Sequence, residues 1–320
     1  MVKICLIGGR GHSGYVFDGL KQVPEIEITG IASGCDDFPQ NLSDWSKQAG
    51  FAPKVYDCWR EMLNAERPEI VSVDGPFERH AEMCIEALSR GIHVFCEKPI
   101  ALNFADLKRI EDAQKRSGAK IISMVGLRYL SAFYDAKQLV DSGKIGKIKL
   151  ISTRKSYKLG TRPDFYRSRK TYGGTIPWVG SHAIDWIIYF SGTDFESVTA
   201  CQTTADNSGN GELEICAMLQ FQMQSGIMAQ ASIDFLRPES APTHGDDRIR
   251  IVGTKGVLEI IQNVLYIIDS EHAYKMEPKM QPHTLFGDFV AAIEGKLKDP
   301  VTVKETFALT YACLLARESA

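Results

Sequence analysis

No apolar run in this chain approaches the roughly 20 residues that span a bilayer; its hydrophobic stretches are the size of strands or short helices. Blocks of like charge are missing too. The 37 basic and 40 acidic side chains are spread along the sequence for a formal charge of −3, which leaves no footprint for nucleic acid or an anionic membrane. None of the eight cysteines (5, 35, 58, 84, 96, 201, 216 and 313) stands at zinc-site or redox-pair spacing. Most fall within apolar patterns and read as reduced thiols, and no spacing asks for a metal. A chain of this length needs no disulfide staples, which fits a reducing compartment. Met1-Val2-Lys3 runs straight into an apolar strand without the features of a signal peptide. The expectation is a soluble, cytoplasmic protein with a small-molecule partner, and neither nucleic acid nor a membrane.

What is present suffices for two cores, since 320 residues at 44% hydrophobic exceed the size at which a single core stops growing, about 250–300 residues. From residue 2 to 125, apolar strands at 3–7, 27–32, 70–73, 93–96 and 121–125 alternate with helices starting near 14 and spanning 58–65, 80–90 and 103–117. Ala81, Cys84, Ile85 and Leu88 form one stripe at helical spacing. This is the rhythm of a parallel sheet with crossover helices. After Gly126 longer strands at 148–153, 213–220, 226–234, 248–252, 257–261 and 265–268 predict a mostly antiparallel sheet. Helices interrupt it at about 131–142 and 182–191, and two more close the chain at about 284–295 and 304–318. The domains expected are 1–125 and 126–320, with the closing helices able to pack back on the first. No repeat or low-complexity tract is visible, and 205–211 and 237–247 read as loops.

The first strand leads into Gly8-Gly9-Arg10-Gly11-His12-Ser13-Gly14, which contains GxGxxG on Gly9, Gly11 and Gly14. Gly8 adds a second register with Gly11 and Gly14. Glycines at a strand-to-helix turn permit positive φ and close approach of a pyrophosphate, and the helix start offers N–H groups to phosphate. All seven residues of the turn are candidates for binding a dinucleotide. The second strand of such a fold commonly ends in an acid that holds the ribose hydroxyls; here Ser33 stands there. Serine does not repel a 2′-phosphate and Arg10 is able to pair with one, which favours NADP. No Arg or Lys follows Ser33, and Asp36 or Asp37 is able to reach a ribose, which favours NAD. The choice between the two cofactors stays open.

Val94-Phe95-Cys96-Glu97-Lys98-Pro99 places a lysine at the carboxyl end of an apolar strand, the end where ligands bind in open α/β sheets. Partial burial there lowers a lysine's pKa and suits it to proton traffic or to polarising a hydroxyl. The plainer reading is a solvated lysine before a helix-starting proline. Further on, Gly180-Ser181-His182-Ala183-Ile184-Asp185 opens an apolar helix that ends at Gly192. Ser181 reads as an N-cap, which puts His182 in the first turn, where the helix dipole keeps imidazole neutral and available as a base. Asp185 lies one turn on and is able to orient it. The alternative is a structural histidine with an aspartate that complements the dipole.

These segments resemble the glucose–fructose oxidoreductase, inositol dehydrogenase and rhizopine-catabolism (Gfo/Idh/MocA) family. The resemblance rests on Pro76, His80, Gly91-Ile92-His93-Val94 and Glu97-Lys98-Pro99-Ile100-Ala101-Leu102-Asn103. It extends through Ile145-Gly146-Lys147-Ile148, the helix at 180–192, Val252-Gly253-Thr254-Lys255-Gly256 and 289–295. It implies an α/β chain: an N-terminal Rossmann domain with a doubly wound parallel sheet, then a C-terminal α/β domain whose mostly antiparallel open sheet makes a homodimer or homotetramer interface. It also implies NAD or NADP as cofactor, Lys98 as a catalytic residue, Pro76, His80 and Glu97 shaping the cofactor pocket, and His182 facing nicotinamide and substrate.

Between 154 and 172 lie Arg154, Lys155, Tyr157, Lys158, Arg162, Tyr166, Arg167, Arg169, Lys170 and Tyr172, with Asp164 the one acid. This segment resembles the family's substrate loop. Its arginines and tyrosines suit a carboxylated or phosphorylated polyol; a solvated loop or an oligomer contact is the alternative. Arg128 and Tyr129 fall where members place substrate contacts. One position departs from the family: many members carry an aspartate four residues before the histidine, and this chain has Trp178. Indole cannot exchange a proton with substrate, but it is able to stack on a sugar ring or on nicotinamide. Tyr166 or Tyr172 would then have to supply a hydroxyl, or Lys98 and His182 suffice. The implied activity is a reversible NAD(P)-dependent dehydrogenase acting on a secondary alcohol of a sugar, inositol or related polyol. Two alternatives share the scaffold: glycoside hydrolysis through transient oxidation by bound NAD and elimination, and a non-catalytic cofactor-binding regulator.

Overall fold

Runs of Ile, Val, Leu and Cys that are buried on both faces build the first sheet, which is why its strands lack polar alternation. In the computed structural model, which describes residues 1–34, 40–277, 279 and 281–320, β1 (Val2–Ile7), β2 (Ile26–Ala32), β3 (Lys54–Tyr56), β4 (Ile70–Val73), β5 (His93–Cys96) and β6 (Ile121–Ser123) are all parallel. Their order is β3-β2-β1-β4-β5-β6. The connections carry α1 (Gly14–Gly19), α2 (Gln40–Gln48), α3 (Trp59–Glu66), α4 (His80–Ser89) and α5 (Phe104–Ser117). The strand order reverses between β1 and β4, and a doubly wound sheet opens its ligand crevice at the carboxyl ends of the strands there. α5 shows how local chemistry sets the boundaries. Asn103 caps it by accepting the Asp106 N–H, and Gly118 ends it at φ +71°.

The second sheet alternates apolar and polar residues, as a sheet with one covered face should. Its strands are β7 (Ile148–Tyr157), β8 (Phe195–Thr203), β9 (Cys216–Met223), β10 (Met228–Asp234), β11 (Gly245–Gly253), β12 (Gly256–Ile261), β13 (Val264–Asp269) and β14 (Ala273–Met276). The order is β14-β13-β12-β11-β7-β10-β9-β8, antiparallel except for the β7/β10 pair. Ile151, Leu219, Phe221, Ala231, Ile233 and Ile251 are among the buried inward residues. Against that face lie α6 (Ser131–Asp141), which packs on β12 and β13, and α8 (Ser181–Ser191), which packs on β7 and β10; α7 (Arg169–Tyr172) is a single turn. α8 is buried on nearly every side, Ala183, Ile184, Trp186, Ile187 and Ile188 included.

The chain divides into two units, Met1–Gly126 with His283–Phe307 and Leu127–Pro282 with Ala308–Ala320. α9 (Leu285–Ile293) therefore belongs to the first unit, and α10 (Val303–Ser319) contributes residues to both. β3, β8, β14 and α2 are not anticipated by the sequence pattern, and the strand expected at 213–220 forms at 216–223. Among the described residues no helix is long and apolar enough to cross a membrane.

What binds α9 to the first sheet is Phe95. Its ring, fully buried in β5, lies 5.3 Å from that of Phe286 and 5.8 Å from that of Phe289. Phe95→Ala should cost about 3–5 kcal/mol, read as a lower urea midpoint with an unchanged slope. A loss below about 1 kcal/mol would mean that α9 does not share this core.

Candidate active site

In the first unit the chain leaves β1 through Gly8, at φ +73°. A Cβ there would lie 2.5 Å from the Asp74 carbonyl oxygen, so the turn requires glycine. Two buried carboxyl groups hold the rest of the turn. Asp74, the residue after β4, accepts the Gly11 N–H at Oδ1 (2.8 Å) and, at Oδ2, the Ser13 N–H (2.9 Å) and hydroxyl (2.5 Å). Glu97, the residue after β5, accepts the His12 N–H at Oε2 (2.9 Å), which also lies 2.6 Å from His12 Nδ1. Its Oε1 accepts the Lys98 N–H (3.0 Å) and faces Lys98 Nζ at 3.5 Å. Lys98 is itself buried, 2% exposed. A Cβ on Gly11 would come within 2.7 Å of Glu97 Oε2 and 2.8 Å of Asp74 Oδ1. That glycine is demanded by the carboxyl groups.

The pair divides its charge unequally. Burial and the proximity of Glu97 push the Asp74 pKa up to about 8, against the pull of its hydrogen bonds to Ser13 and Gly11. Burial would raise Glu97 as well, but His12 and Lys98 outweigh it and hold that carboxylate below its usual range. His80, fully buried, has Nδ1 2.9 Å from the Pro99 carbonyl oxygen and Nε2 3.0 Å from that of Gly75. Burial lowers its pKa, and a neutral ring donates to one of the two. The Lys98-Pro99 peptide is cis. Pro76 is buried just before α4, and Ser33 is half-buried directly after β2. Asp36 and Asp37 lie outside the described residues.

These residues fit a dinucleotide. The turn stands at the strand-order reversal, no side chain at positions 9, 11 and 14 obstructs its outer surface, and Gly11 and Arg10 are exposed. Because Asp74 and Glu97 take the N–H groups of Gly11, His12 and Ser13, a dinucleotide's phosphates would have to draw on other groups of the turn.

In the second unit the segment Ile176–Gly180 is a π-helical turn that runs directly into α8. Ser181 is helical and donates its hydroxyl to the Trp178 carbonyl oxygen (2.6 Å). It is therefore not the N-cap that the sequence suggested, because the turn containing Pro177 starts the helical run earlier. His182 lies within that continuous run, 4% exposed, where the dipole argument for a neutral base does not apply. Asp185 is engaged by Arg128: Nε lies 3.0 Å from each carboxylate oxygen and Nη2 lies 2.6 Å from Oδ1. Both side chains are buried, and the guanidinium also covers the Tyr189 ring at 4.8 Å.

Tyr172 is fully buried and donates its hydroxyl to Glu214 (2.5 Å), which also accepts the Thr175 N–H and pairs with Arg169 Nε at 2.5 Å. Burial and Glu214 push this hydroxyl's pKa up. These bonds tie the segment 169–175 to Glu214. Trp178, by contrast, is half-buried. Its ring lies 4.2 Å from that of Tyr166 and 6.0 Å from that of Phe235, and Tyr157 stacks on Phe235 (6.4 Å) and His244 (5.0 Å). Lys155 is an inward residue of β7, with Nζ 2.6 Å from Asp247.

Sequence reasoning missed Asp74, Glu214 and Phe235. Asp74 had a signal: Val73-Asp74-Gly75-Pro76 ends its strand as Cys96-Glu97-Lys98-Pro99 ends the neighbouring one. Phe235 and Glu214 are recognisable only from their long-range contacts.

Residues 2–126 match the profile of the GFO_IDH_MocA oxidoreductase family, NAD-binding Rossmann fold, and residues 133–259 match that of the GFO/IDH/MocA C-terminal domain. A solved structure from Thermotoga maritima, provisionally described as an oxidoreductase, is 42% identical with a TM-score of 0.94, covering 100% of this chain and 98% of that one. The inositol 2-dehydrogenase/D-chiro-inositol 3-dehydrogenase of Lactiplantibacillus plantarum is 26% identical over 266 residues, 81% of this chain and 71% of that protein. The chain spans less than half the length of some other curated relatives it matches. A levoglucosan dehydrogenase solved with NADH and levoglucosan shares the fold, with a TM-score of 0.84 at 18% identity and coverage of 100% and 97%.

The Asp74 carboxyl gives the turn a pH signature. With its pKa raised on folding from 3.8 to about 8, the native state keeps a proton that the unfolded chain has lost, so this group's contribution to stability falls as pH rises from about 4 to 8. Asp74→Asn should remove that part of the slope. Melting temperatures measured from pH 5 to pH 9 check it, and identical slopes in the two proteins would show that Asp74 is ionised throughout.

Proposed function

The chain belongs to the GFO/IDH/MocA family of oxidoreductases, and on that premise we propose that it is a reversible NAD(P)-dependent dehydrogenase acting on a secondary alcohol of a sugar, inositol or related polyol. The observation that carries this reading is that one carboxylate, Glu97, holds both the turn, through His12, and the catalytic candidate Lys98. Bound nicotinamide supplies the hydride acceptor. Residues 8–14, with Ser33, Pro76, His80 and Glu97, form its pocket in the first unit. The buried Lys98 ammonium steadies the alkoxide that develops as hydride leaves. His182 takes the hydroxyl proton. Asp185 acts on His182 through position: its buried pair with Arg128 anchors the helix that carries the histidine. Arg128 thus serves the substrate site indirectly. Trp178, Tyr166 and Tyr157 offer the stacking surface that a pyranose or cyclitol ring requires.

The protein acts in the cytoplasm as a homodimer or homotetramer. Supporting the assembly, Leu150, Met218, Met228 and Ile268 are 38–62% exposed on the outer face of the second sheet, an apolar surface of the kind that marks association.

The test follows reduced nicotinamide as the purified protein is offered NAD or NADP with inositols, aldoses and sugar acids. One cofactor should be reduced, and Lys98→Ala should lower kcat by about 10²–10⁴-fold. A Lys98→Ala enzyme with near wild-type turnover would remove the dehydrogenase reading. Glycoside cleavage without net formation of reduced cofactor would point to oxidation and elimination instead. Cofactor binding without either activity would point to a regulator.

A further inference from the structure

Counting counter-ions between β7 and α8 leaves one guanidinium over. Lys155 has Asp247 at 2.6 Å, Arg167 has Asp164 at 3.3 Å and Arg169 has Glu214 at 2.5 Å. Arg162 has no carboxylate partner among the described residues. Its Nη2 donates to the Lys158 carbonyl oxygen (3.0 Å), and its Nε is buried without a hydrogen-bond partner among them. The guanidinium carbon lies 4.8 Å from the Phe235 ring centre and 5.5 Å from that of Trp178. His244 has its pKa lowered by burial and then by Arg162 and Lys158, and Arg162 is itself lowered by burial. Stacking on two rings accounts for the position of the cation, but it leaves the Nε–H unsatisfied, and a buried donor without an acceptor is costly.

We propose that Arg162 sets substrate charge: with Trp178 and Phe235 beneath it, it receives the carboxylate or phosphate oxygens of an acidic sugar. Arginine suits this because its planar fork meets a carboxylate or phosphate with two parallel hydrogen bonds. The inference rests on the reading of this aromatic cluster as the substrate site.

The experiment is titration calorimetry of the full chain, with and without NAD, against D-glucose, D-glucuronate and D-glucose 6-phosphate. At least one charged sugar should bind about tenfold or more tightly than glucose, a preference that weakens with added salt. The two charged probes separate a carboxylate from a phosphate specificity. In Arg162→Gln the ratio of charged to neutral affinity should fall to about 1–2, and Arg162→Lys should restore part of it, since a point charge without the fork replaces only the electrostatic share. Circular dichroism establishes that the variants fold; if the glutamine variant does not, the lysine variant and the salt dependence of the wild type carry the decision. Equal affinities, a preference that survives in Arg162→Gln, or binding of neither charged sugar would overturn the proposal. Turnover of neutral polyols without charge preference would retain the dehydrogenase reading and end this one. A bound charged sugar that reduces no cofactor would do the reverse.

Discussion

Two carboxyl groups lie side by side at the end of a parallel sheet, and the first unit is organised by that constraint. Val73 of β4 is in register with Cys96 of β5, so the next residues, Asp74 and Glu97, leave the sheet on adjacent strands, which run about 4.8 Å apart. Two buried carboxylates this close cannot both ionise cheaply. The chain resolves the conflict by placing Lys98 and His12 beside Glu97 and leaving Asp74 the proton. Both still accept N–H groups from the turn, which therefore takes its shape from side chains behind it as well as from its glycines. The same arrangement couples distant parts of the sequence. A change at Asp74 alters the field on Glu97, and Glu97 holds Lys98.

Burial on both faces made β1, β4 and β5 legible as apolar runs, and the motif around Lys98 stood out because Glu97, Lys98 and Pro99 close such a run. Elements with little apolar content were not legible. β3 has three residues of which Lys54 and Val55 are exposed, and β8 alternates in a phase that buries only Val198. The place of α9 in the first unit carries no local signal, since it depends on Phe286 and Phe289 meeting a ring almost 200 positions earlier. At the site, the turn and its partner Glu97 could be read. The Arg128–Asp185 pair could not, because residues 57 positions apart on different helical turns announce no pairing. Lys155 could have been placed inward from the phase of β7, where Ile151 and Thr153 face the same way.

The second unit places its charges by necessity. α8 is apolar on nearly all sides, so the one carboxylate in its middle, Asp185, is tolerable because Arg128 meets it with two donors. Glu214, 0% exposed, is likewise accommodated by Tyr172, Thr175 and Arg169 converging on it. Each buried acid is a fastening between segments far apart in sequence, and Glu214 removes Arg169 from the set of bases that the segment 154–172 displays. Reading that segment as a uniformly basic loop overcounts the charge available to a ligand.

What remains after those subtractions gives the Trp178 replacement a physical sense. An aspartate at that position, as the family resemblance leads one to expect, would place a carboxylate within reach of Arg162, whose guanidinium lies 5.5 Å from the residue now there. Such a pair would neutralise the cation and leave a site suited to neutral polyols. With indole in its place, the cluster carries a stacking face where an acid is expected, and Arg162 keeps no carboxylate partner among the described residues. The missing proton-exchanging group and the guanidinium without a carboxylate are then two sides of one exchange: on the proposal above, the negative charge that an aspartate at position 178 would supply comes instead with the ligand.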